Sequence, residues 1–181
     1  MAHSLGARVA LSALHRVPAG TIGRVVFLAG AEFRANARAA VATPAGRAAE
    51  FVNVTSREND LYDRMLEWFI AAPKPGARAL GAGLGETRAN WLDLSLDCSR
   101  TRSGLATLGF PIPAPDRRIC HWSTYLRPGV FALYAALLRQ PGRMPLGFLR
   151  DQTSPAATGR ADTLAPPKIA DLPGPAPRAL R

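Results

Sequence analysis

Lysine and cysteine are scarce in this chain of 181 residues. The only lysines are Lys74 and Lys168, and the only cysteines are Cys98 and Cys120. The two cysteines lack the spacing of a metal site, so the sequence predicts no bound metal. Two isolated thiols are compatible with a reducing cytoplasm, and a disulfide between them stays open as an alternative.

Long apolar runs are also missing. No segment approaches the roughly 20 apolar residues of a membrane-spanning helix. The apolar run at residues 9–14 is too short for a signal-peptide core, and no basic segment precedes it. We therefore expect no membrane span and a cytoplasmic location. Hydrophobic residues make up 48% of the chain, which is enough for the core of one globular domain.

The net charge of +10 comes almost entirely from arginine. A strongly basic chain commonly binds an anionic partner, so nucleic acid is one candidate. However, the arginines are scattered, and only Arg117 and Arg118 are adjacent. The absence of a basic helix favours a protein that does not bind nucleic acid.

The first seven residues place a serine between small residues. Ala2 and Gly6 lie two positions on either side of Ser4, which permits a strand to fold back tightly onto a helix. Apolar residues then recur at helical spacing, so a helix is predicted from Leu5 onward. The Leu5 backbone N–H would lie at the positive end of that helix and could donate to an oxyanion. The simpler alternative is that Ser4 only caps the helix.

The remaining pattern alternates helices with strands. Continuous apolar runs at 24–30 and 51–54 predict buried parallel strands, with a weak, broken helix between them. Residues 91–97 alternate apolar with polar side chains, which predicts an edge strand with a solvated face that includes Asp93 and Asp97. The fold class is therefore α/β, with a mostly parallel sheet of three to four strands flanked by helices.

Segments rich in glycine and proline are predicted to be loops. They are a flexible surface loop at 73–90 and a second loop at 99–116. Eight of the sixteen prolines fall in the last 41 residues, which predicts a mostly disordered tail at 141–181. Within that tail, the apolar stretch 144–149 is the part expected to dock on the domain.

Polar residues follow the strand at 51–54, at the sheet end where catalytic residues of α/β folds gather. Asp60 is the candidate acid there, with Glu58 and Asp63 as alternatives. The local alternative is that Asn59 or Asp60 only caps the next helix. That helix is amphipathic, with an apolar face that includes Leu61, Met65, Trp68 and Phe69.

His121 is the candidate base. It lies in a polar, aromatic segment just before a helix that Pro128 opens. His15 lies inside the first predicted helix, and His3 occupies the variable position beside Ser4. A purely local hydrogen bond is the alternative role for His121.

The stretch His3-Ser4-Leu5-Gly6 resembles the nucleophile elbow of the α/β-hydrolase family, with Ala2 where the family has its first glycine. The order Ser4, Asp60, His121 also matches the family's order of nucleophile, acid and histidine. The resemblance implies a serine hydrolase of esterase, lipase or thioesterase type, acting on a small-molecule acyl ester without a cofactor. Ser4 would attack the carbonyl, His121 would take its proton and Asp60 would orient the imidazole.

The family places this elbow in mid-chain, whereas here it follows the first methionine directly. Residues 1–140 thus resemble the C-terminal half of an α/β-hydrolase domain, without the loop that supplies the second oxyanion donor. We expect a chain that is incomplete, and unstable or inactive as written. The alternative is a non-catalytic α/β-hydrolase-like binding module. The sequence leaves the substrate and the oligomeric state open.

Overall fold

A four-stranded parallel sheet forms the centre of the fold in the computed structural model, which describes residues 1–70, 72 and 75–153. The strands follow one another in chain order across the sheet, which confirms the α/β class and the expected number of strands. They are β1 (Ala2–His3), β2 (Arg24–Leu28), β3 (Glu50–Thr55) and β4 (Trp91–Ser95).

Helices cover both faces of this sheet. In the described ranges they are α1 (Gly6–Ala13), α2 (Arg34–Val41), α3 (Pro44–Ala48), α4 (Asp60–Phe69), α5 (Ser99–Thr107), α6 (Ser123–Leu126), α7 (Val130–Arg139) and α8 (Leu146–Thr153). Short 3₁₀ turns lie at Arg57–Asn59, Leu80–Ala82 and Pro141–Arg143. The broken helix predicted after β2 is present as α2 and α3.

The core consists of two layers because successive strand residues point to opposite faces of the sheet. In β2, Val26 and Leu28 pack with apolar side chains of α5, α7 and α8. Val25 and Phe27, on the other face, pack with those of α1, α2 and α3. Continuous apolar strands are therefore buried on both faces, as the sequence predicted.

The strand before Ser4 is very short. The sequence left no room for a strand there, yet Ala2 pairs with Phe27 and His3 with Leu28 in parallel register. The backbone N–H of Ser4 then donates to the Leu28 carbonyl at 3.1 Å and extends the ladder by one bond. Two paired residues are thus enough to place β1 at one edge of the sheet.

The opposite edge strand, β4, was predicted correctly, since Leu92 and Leu94 are buried and Asp93 is exposed. The two loop predictions beside it were wrong in part. Helix α5 lies within the predicted loop at 99–116, because Thr101, Leu105 and Leu108 recur at helical spacing and are buried.

The predicted surface loop at 73–90 also has a buried part. Leu80 and Leu84 are fully buried among the core residues beside α1 and α2. The backbone N–H of Leu84 donates to the Asp93 carboxylate at 3.0 Å, which fixes this segment against β4.

The first part of the predicted tail is folded. Met144, Leu146 and Leu149 are buried on the face covered by α5 and α7, which confirms the expected docking of 144–149. Burying each leucine stabilises the fold by about 1.5–3 kcal/mol. Residues Leu146–Thr153 therefore form helix α8 instead of a disordered tail, and the remainder of the predicted tail, 154–181, lies outside the described residues.

The apolar residues of α4 face solvent rather than the core. Leu66 is the buried residue of this helix, whereas Leu61, Met65, Trp68 and Phe69 are 41%, 41%, 69% and 76% exposed. In the part of the chain that the structure describes, no helix is long and apolar enough to cross a membrane.

Candidate active site

Ser4 lies in a sharp turn between β1 and α1. Its φ of 52° is in the left-handed region, which costs a non-glycine residue roughly 1–2 kcal/mol. The Ser4 carbonyl accepts hydrogen bonds from the backbone N–H groups of Ala7 at 3.0 Å and Ala31 at 2.9 Å. With the bond to Leu28, these contacts hold Ser4 in its strained conformation.

Small side chains allow this turn to pack closely on the sheet. A Cβ built on Gly6 would lie 3.6 Å from the Cβ of Ala2, and one on Gly30 would lie only 3.2 Å from the Cβ of Ala7. Ala7 is fully buried. The small residues that the sequence places around Ser4 thus fit the close approach between α1 and the end of β2.

The Leu5 backbone N–H remains available for a ligand. Leu5 is the N-cap residue of α1, and its N–H donates to no acceptor in the described ranges. Because the positive end of the helix dipole is here, this N–H is suited to a developing negative charge beside Ser4.

His121 lies beside the residue that precedes Ser4. The His121 and His3 ring centroids are 4.7 Å apart, and the His121 carbonyl is 3.3 Å from His3 Nε2. The Tyr62 ring also packs against His121, with its centroid 4.6 Å from that of the imidazole. The fold therefore brings residues 118 positions apart to the same end of the sheet.

The Nδ1 atom of His121 is 2.7 Å from Oδ1 of Asn59. An amide oxygen only accepts hydrogen bonds, so Nδ1 carries the proton and Nε2 keeps its lone pair. Burial lowers the pKa of His121, and the charge of His3 lowers it further. The imidazole is therefore neutral at pH 7, which is the form that acts as a base.

Asn59 lies near a carboxyl group. It is 3% exposed, and its side chain interacts with the Asp63 carboxyl. Asp63 packs against the backbone of Gly81, where any Cβ would overlap the carboxyl group. Burial raises the pKa of Asp63 to about 7, and the charges of Asp60 and Glu67 raise it too. His121 is thus hydrogen-bonded to Asn59, and Asn59 in turn interacts with Asp63.

Asp60, the acid predicted from the sequence, has a different environment. It is the first residue of α4, its side chain is exposed, and it forms no hydrogen bond or ion pair with any described residue. The side chain facing His121 belongs to the preceding residue, Asn59, because the 3₁₀ turn ends there and directs that side chain inward.

Glu58, the first alternative acid, is already paired. Its carboxylate lies 2.8 Å from Arg127, and both side chains are buried, with 3% and 5% exposed. Burial alone would raise the pKa of Glu58, but the hydrogen bond from Arg127 holds it below its usual value. The same guanidinium donates to Asp97 at 2.5 Å and to Ser56 Oγ at 2.9 Å.

The sequence predicted that Asp97 lies on a solvated strand face. This was wrong, because Asp97 pairs with Arg127 in the interior. Asp93 also has partners, since its carboxylate accepts from Asn53 at 2.9 Å and from Trp91 Nε1 at 2.9 Å. Both cysteines are free, with Cys98 exposed and Cys120 buried.

Sequence reasoning considered Asn59 only as a helix cap. The signal that would have identified it is the spacing of Asn59 and Asp63, four positions apart at the start of a helix, where their side chains share a face.

In the described residues, no cluster of three His, Cys, Asp or Glu side chains is arranged to hold a metal, and Ser4 Oγ forms no hydrogen bond. Comparison of the chain with protein-family models, curated proteins and solved structures gives no match.

Proposed function

We propose that this chain is an α/β-hydrolase-like serine hydrolase of carboxylic esters, in which Ser4 is the nucleophile and His121 the general base. One observation supports this most: Ser4 is held in a left-handed strand-to-helix turn, and the residue before it, His3, packs against His121, a neutral histidine whose Nδ1 is fixed by Asn59. This is the combination of strained nucleophile and oriented base that acyl transfer needs.

The reaction would proceed through an acyl-enzyme. Ser4 Oγ attacks the ester carbonyl while Nε2 of His121 accepts the hydroxyl proton, and the Leu5 N–H donates to the resulting oxyanion. The protonated imidazole then gives its proton to the departing alkoxide. Water attacks the acyl-enzyme with His121 again as base, which releases the carboxylic acid and restores Ser4.

Asn59 would be a positioning residue in this mechanism. Its amide oxygen keeps the proton of His121 on Nδ1. A neutral amide supplies less charge stabilisation to the imidazolium than a carboxylate does, although a Cys-His-Asn arrangement serves other acyl transferases. The role of Asp60 as the acid stays a prediction, which substitution can test.

Labelling with a fluorophosphonate probe tests the proposal directly, because such probes react only with an activated serine. We expect labelling of the native chain, its complete loss in Ser4→Ala, and a strong decrease in His121→Ala. Ser12→Ala is the matched control, since Ser12 is exposed on the same helix. Equal labelling of native protein and Ser4→Ala, or no labelling of a folded native chain, would refute catalysis and favour the non-catalytic binding module.

A further inference from the structure

A groove with an excess of arginine lies beside the candidate active site. It has a volume of about 560 Å³ and runs between the start of α4 and the segment at 115–119. Four of its lining residues are arginines, namely Arg57, Arg64, Arg117 and Arg118.

The guanidinium groups of the four groove arginines have no described partner. None of Arg57, Arg64, Arg117 and Arg118 forms a side-chain hydrogen bond or ion pair within the described ranges. Some arginines outside the groove are paired with carboxylates, as Arg8 is with Glu32 at 2.9 Å. The groove arginines therefore keep their full hydrogen-bonding capacity for a ligand.

The carboxylates of the groove neutralise only part of the arginine charge. Glu58 and Asp97 are both occupied by the buried Arg127, at 2.8 and 2.5 Å. Arg127 offsets one of these two negative charges, and Asp60 is the third acid of the lining, so three carboxylates face the four groove arginines and Arg127, and positive charge is in excess. A planar guanidinium presents two parallel N–H donors, which match two oxygens of a phosphate group.

The groove is continuous with the His121 site along the chain. Asn59 lies between Glu58 and Asp60, which both line the groove, and the Glu58 carbonyl accepts the backbone N–H of Cys120, the neighbour of His121, at 2.8 Å. Leu61 and Ile119 are 41% and 55% exposed and add apolar surface to the arginine-lined wall. The segments that carry Asn59 and His121 therefore also supply residues of the groove wall.

We propose that this groove binds a phosphate-bearing group. Resting on the proposed function, the substrate class is a phosphorylated ester or thioester, with its phosphate on the arginines and its acyl carbonyl near Ser4. Two sources share this chemistry: a soluble phosphorylated thiol or alcohol, and the headgroup of a phospholipid.

Calorimetric titration of the Ser4→Ala protein with inorganic pyrophosphate tests binding without requiring catalysis. We expect the double variant Arg64→Gln/Arg118→Gln to weaken binding by about 10- to 100-fold, the effect of losing two charge-assisted contacts. Arg16→Gln/Arg139→Gln removes the same charge from exposed positions outside the groove and should leave affinity within about 2-fold.

Further arms distinguish the two sources. Co-sedimentation of the same Ser4→Ala proteins with phosphatidylglycerol vesicles, using phosphatidylcholine vesicles as control, tests the phospholipid headgroup. Loss of vesicle or pyrophosphate binding in the groove variant alone supports the proposal. The proposal is overturned if both double variants lose affinity equally, or if the Ser4→Ala protein binds neither pyrophosphate nor vesicles. Retention on duplex DNA that depends on the groove arginines, without pyrophosphate binding, also overturns it. Fluorophosphonate labelling of Ser4 is independent of all these outcomes.

Discussion

Asn59 decides how His121 can act. The amide oxygen fixes the tautomer of the imidazole at 2.7 Å, while the charged neighbour, Asp60, faces solvent. A triad aspartate combines tautomer control and charge stabilisation in one side chain, whereas here the group that controls the tautomer is a neutral amide.

Asn59→Ala should lower kcat for p-nitrophenyl acetate by about 100-fold, since the imidazole loses its orientation. Asn59→Asp should retain much of the activity, because a carboxylate oxygen accepts the same Nδ1 hydrogen. Asp60→Ala should change kcat by less than about 3-fold. If Asp60→Ala instead causes the larger loss, Asp60 is the acid of the triad. Urea unfolding of each variant separates lost orientation from lost folding.

Asp63 should make stability fall with rising pH. Its pKa is raised to about 7 in the folded chain from 3.8, so between about pH 4 and 7 the folded state holds a proton that the unfolded state has released. The free energy of unfolding should therefore decrease across that window, by at most about 1.4 kcal/mol per pH unit. Urea titrations at a series of pH values measure this slope.

Asp63→Asn should flatten the slope, since the amide does not titrate. Asp60→Asn is an informative second variant, because removing a neighbouring negative charge lowers the pKa of Asp63 and moves the upper end of the window to lower pH. An unchanged slope in Asp63→Asn would show that another group is responsible.

Single residues were predictable where a local pattern marked them. Ser4 is flanked by small residues, and His121 is the histidine that precedes a helix after the last strand. The pairing of His121 with Asn59 was not predictable in this way, because it depends on contact between residues 62 positions apart and on the direction in which a 3₁₀ turn points its last side chain.

At the scale of elements, the docking of α8 depends on a glycine in α5. A Cβ on Gly104 would overlap the backbone carbonyl of Gln152, so helices α5 and α8 are packed at backbone distance. This contact holds the last described helix on the core.

Gly104→Ala should destabilise the chain by about 1–3 kcal/mol, because the added methyl group meets backbone that cannot move without displacing α8. Gly147→Ala, in α8 itself, is the matched control: no atom lies within 4 Å of a Cβ there, and alanine favours helix by roughly 0.5–1 kcal/mol. Thermal unfolding of both variants gives the comparison. Equal stability of the two would contradict close packing of α8.

Elements were predictable from apolar periodicity where the pattern was strong. The buried strands and the edge strand β4 follow from continuous and alternating apolar residues. Helix α5 was missed because its surface is mostly polar, with Thr101 and Leu105 as its buried residues. Helix α4 was predicted from its apolar periodicity, but its apolar side chains are exposed. Periodicity predicts that a helix has an apolar face, but it does not predict which residues cover that face.

At the scale of the whole molecule, Arg127 joins segments that are distant in the chain. Its guanidinium donates to Glu58 after β3, to Asp97 after β4 and to the Leu96 carbonyl at 3.0 Å. These partners lie 69, 30 and 31 positions away. One side chain thus fixes the carboxyl ends of two strands to the segment before α7.

Arg127→Leu should destabilise the chain by about 3–5 kcal/mol at pH 7, because Glu58 and Asp97 would remain buried without a counter-charge. Without the arginine, burial raises the pKa of Glu58 instead of the cation lowering it. The deficit should therefore shrink as pH falls toward 4 and the carboxyls become neutral. Arg139→Leu, at an exposed position, should change stability little. Urea unfolding at pH 7 and pH 4 checks both expectations.

The overall architecture was easier to predict from the sequence than the ion-paired cluster of Arg127, Glu58 and Asp97. Alternation of helices and apolar strands predicts a parallel sheet without knowledge of any contact between side chains. The ion-paired cluster was missed because its members are isolated charged residues in three separate segments, and each was interpreted locally, Asp97 as a solvated residue and Glu58 as an alternative acid.

The narrow attachment of β1 has a thermal consequence for the proposed activity. Among the described strands, β1 contacts only β2, through two register pairs. An edge strand with so few hydrogen bonds opens by local fluctuations, whose free-energy cost is far below that of unfolding the whole sheet. Warming should consequently abolish hydrolysis by Ser4 at a temperature at which the backbone amides of the interior strands are still protected from hydrogen exchange. Loss of activity would then precede global unfolding.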